Sequence, residues 1–96
     1  MPAYVLAEIE VTRPEGYKGY TAVVGESIQK YGGRFLVRGG AAHALEGDWP
    51  ERRRVVIEFP SADAARKWWD SAEYAKPKEM RRAHSNGRLI LLEGVS

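Results

Sequence analysis

Segments that alternate between apolar and charged side chains constrain this chain most. The clearest is Arg34-Phe35-Leu36-Val37-Arg38. Strand side chains alternate between the two faces of a sheet, so Phe35 and Val37 are expected on one face. Arg34, Leu36 and Arg38 are then expected on the other. Arg54-Val55-Val56-Ile57-Glu58-Phe59 repeats the pattern, and so does Tyr4-Val5-Leu6-Ala7-Glu8-Ile9-Glu10-Val11. A sheet with one apolar face needs helices on that face, and its mixed face suits a partner.

The punctuation between these strands supplies the helices. Thr12 is placed to cap a helix that begins near Pro14, with Glu15 reaching back in a capping box. Tyr17, Tyr20, Val24, Ile28 and Tyr31 follow at spacings of three and four, which is one helix face. Gly32-Gly33 closes that helix, because glycine accepts the left-handed C-terminal conformation. Gly39-Gly40 ends the second strand. Residues 41–52 form a long connection with strand character near His43–Leu45 and a turn at Gly47-Asp48-Trp49-Pro50.

Ser61 is a natural cap for a second helix, whose inward stripe is read as Ala62, Ala65 and Trp69. Ser71 caps a further turn through Tyr74. Pro77 is expected in the first turn of another short helix reaching His84, since an interior proline costs about 3 kcal/mol. Asn86-Gly87 reads as a turn before a last strand from Arg88 to Glu93. The order strand, helix, strand, strand, helix, strand implies an α+β, ferredoxin-like βαββαβ domain over residues 1–96. Its four-stranded antiparallel sheet carries both helices on one face. The expected sheet side of the core is Ala3, Val5, Ala7, Ile9, Val11, Phe35, Val37, Val55, Ile57 and Phe59.

The mixed face then carries Tyr4, Leu6, Glu8, Glu10, Arg34, Leu36, Arg38, Arg54, Val56 and Glu58. An apolar patch there marks an interface, and charges of both signs allow pairing across a two-fold axis, so a homodimer is expected. The plainer reading is a solvated face with local ion pairs.

Composition excludes several classes. The chain has no cysteine, hence no disulfide, thiolate nucleophile or cysteine-ligated zinc. No apolar run approaches a membrane span of roughly 20 residues, and no signal peptide is read at Met1-Pro2-Ala3-Tyr4, so a cytoplasmic location is expected. The net charge of +2 is spread among glutamates rather than gathered into a stripe, which argues against nucleic-acid binding.

The run Tyr31 to Gly40 resembles the signature of the domain of unknown function 1330 family. Leu45-Glu46-Gly47-Asp48-Trp49 and Val56-Ile57-Glu58-Phe59-Pro60-Ser61 fit the same pattern. So do Ala64-Ala65, Trp68-Trp69, Ser71, Glu73-Tyr74 and the closing Arg88–Gly94 strand. Trp69 departs from it, standing where tyrosine is more expected. The resemblance covers nearly the whole chain and implies a dimeric α/β barrel, in which two ferredoxin-like sheets face each other. The wider superfamily includes cofactor-independent antibiotic-biosynthesis monooxygenases, muconolactone isomerases and haem-containing chlorite dismutases. The family itself, as its name says, has no general assigned activity.

Four groups of residues are candidates for chemistry. Arg34, Arg38 and Arg54 on neighbouring strands can hold an anionic metabolite, or can pair with Glu8, Glu10 and Glu58. His43, in the long connection with Glu46 and Asp48, can act as a general base, but the spacing fits no metal motif and no metal is expected. Trp68, Trp69 and Tyr74, with Tyr17 and Tyr20, can line an apolar pocket with polar tips, or simply pack the core. Adjacent Trp68 and Trp69 cannot both face inward on a helix. Arg81, Arg82, His84 and Arg88 can meet an anion, or can be a solvated helix end.

Two functions follow. One is a non-catalytic dimer that binds a small aromatic or anionic ligand, through Arg34, Arg38, Arg54, Trp69 and Tyr74. The other is an enzyme of the monooxygenase or isomerase type, with His43 moving a proton and Arg34 or Arg38 stabilising an enolate-like anion. Neither requires a cofactor.

Overall fold

Alternation along the first strand decides the layering. In the computed structural model, which describes residues 1–95, Ala3, Val5, Ala7 and Ile9 of β1 (Ala3–Val11) are buried, and their neighbours Tyr4, Leu6 and Glu8 are half-exposed. The remaining elements are α1 (Pro14–Lys30), β2 (Arg34–Arg38), β3 (Arg53–Phe59), α2 (Ala62–Trp69), α3 (Ala72–His84) and β4 (Ser85–Glu93). The strands form one sheet in the order β2-β3-β1-β4, every neighbour antiparallel. This is the ferredoxin-like arrangement, with the second helical segment divided in two at Asp70-Ser71.

Tyr17, Tyr20, Val24 and Ile28 of α1 pack with Val5, Ile9, Ile57, Phe59, Trp68 and Tyr74 into one core. Trp68 stacks on Tyr74 at 4.1 Å between ring centroids and leans on Phe59 at 5.4 Å. Gly32 closes α1 in the left-handed conformation, at φ +79°.

Several local expectations are corrected. The N-cap position of α1 is Arg13 and no side chain caps it, so Thr12 does not serve. The amides of Thr12 and Arg13 instead donate to the carbonyl of His84, tying the start of α1 to the end of α3. The inward tryptophan of α2 is Trp68, not Trp69, because Ala65 and Trp68 lie three residues apart on the buried face.

Helix α3 begins at the Ser71 cap and runs through Pro77. The proline is buried in line with Tyr74 and Arg81, and this burial offsets the backbone bond it forfeits. Asn86-Gly87 is not a turn. The chain passes from His84 directly into β4, where Ser85 pairs with Val11 and Gly87 with Ile9. Residues 43–45 form no strand.

The largest correction concerns β2. Arg34 and Phe35 pair with Glu58 and Ile57, but Val37 and Arg38 pair with Val56 and Val55. Leu36 is therefore the extra residue of a β-bulge, and everything beyond it changes face. Val37, expected in the core, is 42% exposed on the open face. Arg38, expected on the open face, turns to the helix side, where its side chain stays exposed.

Candidate active site between the sheet and the helices

The bulge delivers a cation to the helix side of the sheet. There the Arg38 guanidinium donates to the carbonyl of Thr21 on α1 at 2.7 Å and lies 4.2 Å over the Phe35 ring. Arg53, the first residue of β3, pairs with the inward-facing Ile9 and so faces the same way. Its guanidinium rests against Gly39, where a Cβ would stand 2.1 Å from Nη1; Gly39, at φ +72°, leaves that space. The Nε of Arg53 is buried and has no hydrogen-bond partner. The third cation is Arg81 of α3, only 4% exposed, whose Nε donates to the Tyr74 hydroxyl at 3.3 Å.

These three arginines line a cavity of about 30 Å³ with Tyr17, Tyr20, Phe35 and Trp68. That is room for one or two water molecules, or for the head of an anion. Among the described residues no carboxylate lines it. None of the ion pairs among the described residues uses Arg38, Arg53 or Arg81. Of the three only Arg81 is buried, Arg53 being half-buried and Arg38 exposed, so it is for Arg81 that the lack of a counter-ion is unfavourable unless something supplies the opposite charge.

The tyrosines complete the polar wall. The hydroxyls of Tyr20 and Tyr74 share a hydrogen bond of 3.4 Å, and Arg81 follows in line. Burial first, then the neighbouring Tyr74, pushes the Tyr20 phenol well above its ordinary value. Burial also raises Tyr17, against the downward pull of Arg53. Both therefore present neutral hydroxyls, able to donate to an anion.

The other face of the sheet is arranged differently. Arg34 bonds Glu58 at 2.7 Å, and Glu8 is clasped between Arg54 at 3.4 Å and Arg88 at 2.9 Å. Arg34 and Arg54 thus meet glutamates there rather than converging with Arg38. Between these charged rows runs an apolar row across all four strands: Val37, Val56, Leu6 and Ile90, each opposite the next.

Tyr74 stands in the buried hydroxyl chain. Trp69 lies apart from the cavity, half-buried, with the Lys78 ammonium 4.1 Å above its ring. His43 lies on a second, open cleft of about 840 Å³ beneath the 40–52 connection. Among the described residues only Ile9 and Arg53 line both spaces. Among the described residues no cluster of histidine, aspartate and glutamate could hold a metal, and no helix is long and apolar enough to cross a membrane.

Sequence reasoning missed Arg53 altogether and set Arg81 aside as part of a solvated helix end. The signal for Arg53 was its parity with Val55, Ile57 and Phe59. For Arg81 it was the spacing of seven from Tyr74.

Comparison with known proteins agrees with this architecture. The sequence profile of a family described as a domain of unknown function, DUF1330, matches residues 2–95. No curated protein is significantly similar in sequence. Among solved structures, RPA0582 of Rhodopseudomonas palustris, a protein of unknown function, superposes with a TM-score of 0.79 at 21% identity. The match covers 99% of this chain and 83% of that one. SnoaB of Streptomyces nogalater, a cofactor-independent oxygenase, superposes with a TM-score of 0.64 at 14% identity, covering 99% and 94%. Rv0793 of Mycobacterium tuberculosis gives 0.57 at 15%, covering 100% and 97%. At these identities the likeness is one of fold.

Proposed function

Because the chain belongs to the DUF1330 family, whose description carries no activity, we propose a function from the site itself: the protein is a homodimer that binds a small anionic metabolite between its sheet and its helices. The observation that carries this reading is the convergence of Arg38, Arg53 and Arg81 on a tyrosine-walled cavity without a carboxylate. Guanidinium forks suit carboxylates and phosphates, and neutral tyrosine hydroxyls add donors without adding charge.

The dimer is supported by the open face. A row of Val37, Val56, Leu6 and Ile90, flanked by paired charges, offers an apolar centre with a polar rim. In a dimer of sheets the arginine cavity stays on the helix side of each protomer and remains free for ligand. A small dimeric binder of this kind fits a cytoplasmic location.

Thermal unfolding in rising benzoate tests the anion reading. A ligand that binds only the folded state raises Tm with concentration. The expected result is a rise for the native protein that Arg53→Gln and Arg81→Gln abolish. An equal response in all three proteins contradicts the proposal.

The enzymatic reading draws on one observation, the fold shared with a cofactor-independent oxygenase, and on the position of His43 in the adjoining cleft. In this reading His43 takes a proton from the carbon next to a bound carboxylate, and the arginines hold the resulting enolate. Deuterium uptake at that carbon in heavy water, present in the native protein and lost in His43→Gln, is its test.

A further inference from the structure

The inner cavity is too small for a whole metabolite, and this bears on what the ligand must look like. About 30 Å³ accepts a carboxylate head and little more. A bound acid must therefore extend out of it. Ile9 and Arg53 line both the cavity and the larger cleft beside the 40–52 connection.

Arg53 is held by packing against Gly39 and Tyr17 rather than by an ion pair. Its Nε lacks a partner, it joins no ion pair, and its guanidinium is packed against the Cβ-free Gly39. Its guanidinium carbon lies 5.8 Å from the centre of the Tyr17 ring, within reach of an anion beside that hydroxyl.

The cleft itself is of ligand size, with an apolar part bordered by charged side chains of both signs, Glu10, Glu46, Glu51, Arg52 and Arg54. Val11, Ala42, Leu45, Trp49 and Pro50 supply apolar surface, and His43 a polar tip. Leu45 is fully exposed and Trp49 more than half exposed. The Trp49 ring is nevertheless held in place: its indole N–H donates to the Glu46 carbonyl at 2.7 Å, and Arg54 sits 5.5 Å from its centre. A cleft with an apolar part that meets an anion-sized cavity at an arginine without an ion pair suits a ligand with both characters.

We infer that the two spaces form one bipartite site for a carboxylic acid with an apolar body, its head among Arg38, Arg53 and Arg81 and its body in the cleft against Trp49. This rests on the anion-binding reading above and narrows it. It excludes compact anions such as inorganic phosphate as preferred ligands.

The test is a nuclear magnetic resonance titration of the full chain with acetate, butyrate, hexanoate and octanoate. The Nε–H signals of Arg53 and Arg81 report the head, and the Trp49 indole N–H reports the body. The expected result is that every acid shifts the arginine signals and the longer acids also shift Trp49. Affinity should rise about two- to fourfold per added methylene, the upper figure corresponding to full burial. Trp49→Ala, an exposed loop substitution, should flatten that dependence on chain length.

Arginine shifts with no dependence on chain length and a still Trp49 would overturn the bipartite site and leave the anion site standing. No arginine shift with any acid would remove both. Octanoate shifting Trp49 alone would also overturn the inference, since the cleft would then be an apolar groove unconnected to the cations. Dissociation of the dimer by Trp49→Ala, seen by sedimentation, would overturn it by making the cleft a protein contact.

Discussion

Arg81 shows what the proposed anion site costs at a single residue. Its guanidinium is taken out of water with one long hydrogen bond to Tyr74 and no carboxylate. Desolvating an ion costs several kcal/mol before any compensation. Arg81→Gln should therefore leave the ligand-free protein no less stable, while removing its stabilisation by benzoate. Urea unfolding with and without benzoate measures both. Tyr20 carries a second prediction at this scale. Burial holds its proton in the folded state more tightly than in the unfolded chain, whose tyrosines titrate near 10. The corresponding contribution to stability is complete below about pH 10 and is lost as pH rises beyond it. Tyr20→Phe should flatten the alkaline fall in stability, measured by denaturant unfolding at a series of pH values.

The bulge is the element on which the molecule turns. One additional residue, Leu36, puts Val37 into the apolar row on the open face and Arg38 into the cavity. Deleting Leu36 should remove the bulge and restore regular pairing while leaving Val37 opposite Val56 and Arg38 opposite Val55, so both side chains keep their faces. The expected result is benzoate binding and dimerisation close to those of the native protein, read by thermal shift and sedimentation. Trp68 anchors the helical layer. Trp68→Ala should cost about 3–5 kcal/mol in urea unfolding, since the whole indole is buried between Phe59 and Tyr74.

Much at this scale was legible in the sequence. The alternation of β1 and β3, the Ser61 and Ser71 caps and the apolar face of α1 all appear where local chemistry puts them. The bulge was not legible, because Arg-Phe-Leu-Val-Arg alternates equally well in either register. What selects it is pairing with β3 and the carbonyl of Thr21 that receives Arg38. The course of α3 through Pro77 was hidden for a similar reason. The local cost of proline is visible in sequence, whereas the tertiary burial that offsets it is not. Of the candidate ligand residues, Arg38 and Tyr74 stand at or beside the cavity, but Arg34 and Arg54 meet glutamates on the opposite face. Strand parity separates these two groups once the bulge is known.

At the scale of the whole molecule, the two faces of the sheet divide the labour. One face carries helices and the arginine cavity; the other carries the apolar row and its paired charges. Ile90, 55% exposed at the end of that row, separates a dimer from a monomer. On a solvated monomer face, Ile90→Asp would change stability by no more than about 0.5 kcal/mol. In a sheet-to-sheet dimer it buries an unpaired carboxylate, and sedimentation should show monomers. The proposal that matters most is the anion between sheet and helices, and a crystal structure of the protein grown with benzoate tests it most directly. The account predicts density for a carboxylate within hydrogen-bond distance of Arg53 and Arg81, with Arg38 and the tyrosine hydroxyls around it. Benzoate bound only on the open face, beside Arg34 or Arg54, with the cavity closed around its own side chains, would contradict it.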